Sequence, residues 1–175
     1  MLGRSLTHGE IKLAHTVYKS AIQYNRVKIF NEKWAFFQPD DRAMAPNGNI
    51  YYSKSDPAYR EDFSVEDVHI DAKATFIHEL AHVWQHQNGV NVIVRGAVER
   101  NYKYLPLSEE TDFYTLNIEQ QGQVIRDYFY LLNGFYKENE KWPPIEVYRQ
   151  VIPFVDDSQD SPSPNPVLPV PFVTV

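Results

Sequence analysis

Phe76-Ile77-His78-Glu79-Leu80-Ala81-His82-Val83-Trp84-Gln85-His86 contains His-Glu-x-x-His, two histidines four apart with a glutamate directly after the first. Residues four apart on a helix project from one face, so His78 and His82 can offer two imidazole nitrogens to one ion. Glu79 lies about 100° further round the helix, beside such an ion, where it can take a proton from water. A shuffled chain of this composition carries the pattern roughly 1% of the time, so a core helix that happens to hold two histidines is the reading to weigh against. The surroundings favour the metal site. Ile77, Leu80, Ala81 and Trp84 repeat at i, i+3, i+4 and i+7, the stripe of an amphipathic helix buried on at least one side. Asp71 is the expected N-cap and Asn88-Gly89 the expected stop, which places the motif mid-helix.

His86 stands four residues after His82 and offers a second pair. That pair has Val83 where a base is needed, and His78 and His86 lie about 12 Å apart along a helix axis, too far to share one ion. The longer metzincin pattern wants glycine at 85 and histidine at 88, where this chain has Gln85 and Asn88. His86 reads as a polar residue near the helix end, favoured there by the dipole.

Upstream, Thr7-His8-Gly9-Glu10 is a capping-box pattern opening a helix expected over 8–23. Three short apolar runs follow, Val27–Phe30, Trp34–Phe37 and Asn49–Tyr52, separated by turn residues that include Asn47-Gly48. They predict three strands of a small, mostly antiparallel sheet, with Ile50-Tyr51-Tyr52 as an edge to which an extended peptide could pair. Residues 53–70 are charged and read as a loop, ending at His69 just ahead of the metal helix. Downstream, Val90–Val94 is short and β-branched, and a long helix is expected from Asn117, with Gln120 as capping partner, to a stop at Asn133-Gly134. After a short helix over Ile145–Val151 the chain turns proline-rich, so the expected division is a domain over 1–152 and a tail over 153–175.

The 175 residues are 43% hydrophobic and 14% aromatic, enough for one domain with its own core. A net charge of −6 without a basic stripe disfavours nucleic-acid binding, which depends on neutralising phosphates. The chain has no cysteine, which excludes disulfides, thiolate metal sites and thiol nucleophiles. No apolar leader opens the sequence and no run is long enough to span a membrane, so synthesis in the cytoplasm without a signal peptide is expected.

A catalytic zinc site needs a third protein ligand and an open position. Glu119 is the best candidate, opening the second long helix and followed by Gln120 and Gln121. A favourable charge at a helix N-terminus is the competing account of the same residue. Asp127, eight residues on, is the runner-up and a candidate for supporting the site. His8, His15 and His69 are weaker candidates, since lone histidines are usually solvated or hydrogen-bonded.

Leu6-Thr7 with Glu10-Ile11, the Met44–Gly48 turn, Phe76–Glu79 with His82–His86, and Ile118–Gln121 together resemble a bacterial group labelled Vgr-related or Rhs/Vgr-associated proteins. The resemblance spans roughly residues 6–134; its distinctive parts are the Trp-Gln-His extension and the Glu-Gln-Gln element. It implies an α+β, zincin-like fold, with the small sheet packed on the His-Glu-x-x-His helix and on a second ligand-bearing helix. It also implies a gluzincin-type Zn2+ site on His78, His82 and Glu119, with Glu79 as general base. Better-known gluzincins carry an acidic residue four after the ligand glutamate, where this chain has Gln123.

The function expected is zinc-dependent hydrolysis of peptide or amide bonds, with Tyr104 and Tyr114 as candidate stabilisers of the oxyanion. The group's link to type VI secretion implies an effector carried into target cells, with a spike protein and an immunity protein as partners. The substrate is a peptide or protein, cell-wall peptides included, because both amide classes make the same demand on the metal. A zinc-containing adaptor of a secretion spike, without catalysis, is the alternative from another class. Glu79 discriminates, because a structural site needs no base and closes its fourth position.

Overall fold

In a computed structural model, which describes residues 2–137 and 140–155, the chain forms an α+β fold. Its elements are β1 (Arg4–Ser5), α1 (His8–Tyr18), β2 (Lys28–Phe30), β3 (Ile50–Tyr51), α2 (Ile70–Gln87), α3 (Val92–Val98), α4 (Ile118–Leu132) and α5 (Ile145–Val151). The proline-rich tail from residue 156 onward lies outside the described residues.

α2 is wrapped on all sides rather than on one. Every residue from Phe76 to Gln85 is buried, including His78, Glu79, His82 and Gln85. Buried polar groups are costly unless they are hydrogen-bonded, so this helix needs polar partners from its neighbours. α4 supplies them. The two helices run antiparallel: Tyr130 near the end of α4 donates to Asp71 Oδ1 at the start of α2 (2.6 Å), while Gln85 near the end of α2 donates to the Ile118 carbonyl at the start of α4 (3.0 Å).

Both helices stop where the sequence places their glycines. Gly89 has φ 85°, with Val90 N–H donating to Gln85 O and Gly89 N–H to His86 O, each at 3.0 Å. Gly134 (φ 70°) repeats the arrangement with Phe135 N–H on Tyr130 O at 2.9 Å. These are Schellman caps, which favour glycine because a side chain disfavours positive φ. The start of α2 differs from expectation. His69 is the N-cap, its ring accepting from Asp71 N–H, while Asp71 lies in the first turn and is taken by Tyr130.

The capping box at Thr7 and Glu10 is formed, and Glu10 does more than cap. Fully buried, it accepts two bonds from Arg4 (2.8 Å each) and one from Phe63 N–H (3.0 Å), tying β1, α1 and the 53–69 loop together. α1 ends at Tyr18, short of the expected residue 23, because tertiary partners take the bonds the next turn needs. Gln87 Oε1 accepts from Gln23 N–H (2.8 Å), and the Tyr24 hydroxyl donates to Lys19 O (2.8 Å).

The sheet is smaller and more mixed than expected. β1 pairs antiparallel with β2, and β2 pairs parallel with β3. The Trp34–Phe37 run is a turn, not a strand: the Gln38 amide satisfies Trp34 N–H and the carbonyls of Arg42 and Tyr51, and Phe36 is 94% exposed. The outer side of β3 is not free either. Met44 pairs antiparallel with Tyr51 through two backbone bonds (2.9 and 3.0 Å), placing 42–46 between the sheet and the candidate site. Val90–Val94, despite its β-branched side chains, leads into α3, capped by Asn91 accepting from Val94 N–H. Phe154 stacks on Tyr18 and packs against Trp84, so core contacts continue past residue 152. Among the described residues no helix is long and apolar enough to cross a membrane.

Candidate metal centre

The antiparallel packing of α2 and α4 brings Glu119 over the His78–His82 pair. Glu119 Oε2 lies 3.4 Å from His78 Nε2 and 3.5 Å from His82 Nε2, and the three donor atoms fall within 4.8 Å of one another. Donors about 2.0–2.1 Å from a tetrahedral ion stand about 3.3 Å apart, so these spacings fit zinc. Nitrogen, nitrogen and carboxylate oxygen also match the donor set of catalytic zinc sites. Burial opposes charge on Glu119, but the hydrogen bonds and charges of His78 and His82 outweigh it and hold its carboxyl far below the usual range. Burial likewise pulls His82 down, yet its bond to Glu119 and the charges of Glu79 and Glu119 raise it to about 9.

The orientation of His82 follows from a chain of amides. Gln85 Nε2 donates to the Ile118 carbonyl (3.0 Å) and to Gln121 Oε1 (2.9 Å), so Gln85 Oε1 is the atom facing His82 Nδ1 at 2.8 Å. An amide oxygen only accepts, so a neutral His82 carries its proton on Nδ1 and turns its Nε2 lone pair toward the centre of the triad. Gln121 completes the chain by donating to the carbonyls of Phe113 and Leu116. Such outer partners are worth roughly 10–100-fold in metal affinity. Gln85→Leu is therefore expected to weaken zinc binding within that range, measured by competition with a chromophoric chelator; unchanged affinity would remove Gln85 from the site.

Glu79 lies beside the triad and is not part of it. It is buried, and its Oε2 has no hydrogen-bond partner among the described residues. Burial pushes its carboxyl up, partly offset by His82 and His78. A cavity of about 770 Å³ opens onto His78, Glu79, His82 and Glu119.

No family model matches the chain. A solved structure, the effector domain of Pseudomonas aeruginosa VgrG2b, matches with a TM-score of 0.69 at 38% identity, over 75% of this chain and 76% of that one. The chain belongs to the VgrG2b effector-domain family. The type VI secretion system spike protein VgrG2b of P. aeruginosa is 39% identical over 140 residues, covering 76% of this chain and 13% of that protein's length.

In this member of the VgrG2b effector-domain family, the other sequence candidates sit apart from the triad. The Tyr104 hydroxyl donates to Asp127 Oδ2 (2.7 Å) and meets the Tyr148 hydroxyl at 2.7 Å, so Tyr104 and Asp127 form a separate network that Arg126 joins. Tyr114 packs against Phe113 and is absent from the cavity wall, where Tyr102 stands instead. His8, His15, His69 and His86 are exposed and outside the ligand cluster. Gln85 and Gln121 belong to the Trp-Gln-His and Glu-Gln-Gln elements, whose distinctiveness was the sequence signal. Gly122 gave none, yet a Cβ there would stand 2.6 Å from His78 Cε1. His78 is thus seated by backbone contact, and its Nδ1 has no partner among the described residues.

Proposed function

We propose that this domain is a zinc-dependent peptidase of the type VI secretion apparatus, acting on a peptide or protein after delivery by a spike. The observation that carries the chemistry is a buried carboxylate, Glu79, with an oxygen lacking a partner among the described residues, beside three donors within 4.8 Å of one another. Zinc held by His78, His82 and Glu119 would polarise the scissile carbonyl and acidify a water. Glu79 takes the proton from the attacking water and passes it to the leaving amine. Tyr102, on the cavity wall within electrostatic reach of Glu79 and Glu119, is better placed than Tyr104 or Tyr114 to donate to the developing oxyanion. The Gln85–Gln121 chain holds His82 in the ligand tautomer. A silent adaptor would have no use for a base at an open site.

Delivery is supported by the VgrG2b relative, whose name describes a type VI spike protein. An immunity protein in the producing cell is the partner such a toxin requires. The test is metal content together with hydrolysis. One zinc per chain is expected, and cleavage should be lost on chelation and restored by zinc. Casein-like proteins and purified cell-wall peptides, assayed side by side, separate the two substrate classes. A chain that takes up no zinc, or cleaves equally well after chelation, would overturn the proposal.

A further inference from the structure

The chain has eight arginines, and six of them are engaged. Arg4, Arg95, Arg126 and Arg149 pair with carboxylates, Arg26 with the Gln23 amide, and Arg60 with backbone carbonyls. The guanidinium groups of Arg42 and Arg100 alone have no hydrogen bond or ion pair among the described residues, and both residues line the cavity that opens onto the triad. They come from different segments of the chain, Arg42 from the one that pairs with β3 and Arg100 from just beyond α3. Both act on the same neighbour, since Tyr102 feels the charge of each. The same cavity is also lined by apolar side chains, Trp34, Phe37, Val92 and Ile93 among them.

Exposed arginines are ordinarily just solvated. What sets these two apart is their convergence on one cavity in a chain of net charge −6, where every other arginine has found a partner. A guanidinium keeps five donors in a planar fork that matches a carboxylate two bonds at a time. Glu119 is already held by His78 and His82, so it does not occupy them. We propose that Arg42 and Arg100 are specificity-determining residues that bind a carboxylate of the substrate, so that the site selects acidic peptides with an apolar side chain near the acid. The inference rests on the peptidase reading only for the cavity's being a substrate site.

The test reads binding, with hydrolysis followed separately. Three fluorescein-labelled octapeptides of equal apolar content are titrated onto the full chain carrying Glu79→Gln, with zinc chloride present and at low salt. One has an internal glutamate and an amidated C-terminus, one an internal glutamine and a free C-terminal carboxylate, and one neither acid. At least one carboxylate peptide is expected to bind about ten-fold tighter than the neutral one by fluorescence anisotropy, a margin within reach of one two-bonded pair. Which of the two does so identifies a side-chain or a terminal acid. The added Arg42→Gln/Arg100→Gln pair should erase the difference. Equal binding of all three peptides, absence of binding included, overturns the inference, as does a preference that survives the double substitution. Wild-type protein on the same peptides keeps the two ideas apart: a carboxylate preference without cleavage sinks the peptidase reading alone. Cleavage with no carboxylate preference in binding sinks the inference alone.

Discussion

Glu79→Gln is expected to lower hydrolysis by about three orders of magnitude while zinc stays bound. A positioned general base contributes roughly 10²–10⁴-fold, and the amide keeps the shape of the carboxylate without its basicity. The proposed ligands are three other residues, so the substitution leaves the donor atoms of His78, His82 and Glu119 where they are. It also removes a buried group that burial opposes in its charged form, so thermal stability should hold or rise slightly. The measurements are kcat/KM on a cleavable peptide and zinc per chain by mass spectrometry. Retained activity would remove Glu79 from the mechanism, and lost zinc would show that it serves as a ligand.

Gly122→Ala is expected to do nearly as much damage from a position that touches no substrate. By helix propensity alone, alanine inside α4 should stabilise by about 1 kcal/mol. The added Cβ would, however, stand 2.6 Å from His78 Cε1 and 2.9 Å from Nδ1, and the ring cannot retreat without leaving Glu119. Overpacking of this kind costs about 1–3 kcal/mol, which cancels or exceeds the propensity gain, and displacing a ligand should lower zinc affinity by more than the roughly 100-fold ceiling for outer partners. A cycle isolates the cause. In a His78→Ala background, where the ring is gone, Gly122→Ala should become stabilising. If it destabilises equally in both backgrounds, contact with His78 is not the reason for the glycine.

The two helices that carry the triad were readable because their signals are local. Capping boxes, glycine stops and 3.6-residue periodicity act within a few residues, and α4 ends where its Asn-Gly says it should. Where the reading failed, distant partners had outbid local preference. Gln87 and Tyr24 cut α1 short, the Gln38 amide turned Trp34–Phe37 into a loop, and Asp71 gave up its expected cap to bond Tyr130. An aromatic run and a β-branched run look like strands wherever they fall. Whether they pair depends on backbone partners that sequence spacing does not reveal.

The same division runs through the site. The order of residues along two helices determined which side chains could act together: a histidine pair one turn apart, a glutamate beside it, and a carboxylate opening another helix. Those facts follow from helical geometry, which one segment carries by itself. Only the packing of α2 against α4 decided that Glu119 meets the pair at 3.4 and 3.5 Å, that Gln85 sets the tautomer of His82, and that Gly122 makes room for His78. The contacts of Glu119 with the pair, of Gln85 with Ile118 and Gln121, and of Gly122 with His78 join residues more than thirty positions apart. Burial forces the polar ones, because a polar group sealed in a core must find its partner across the fold.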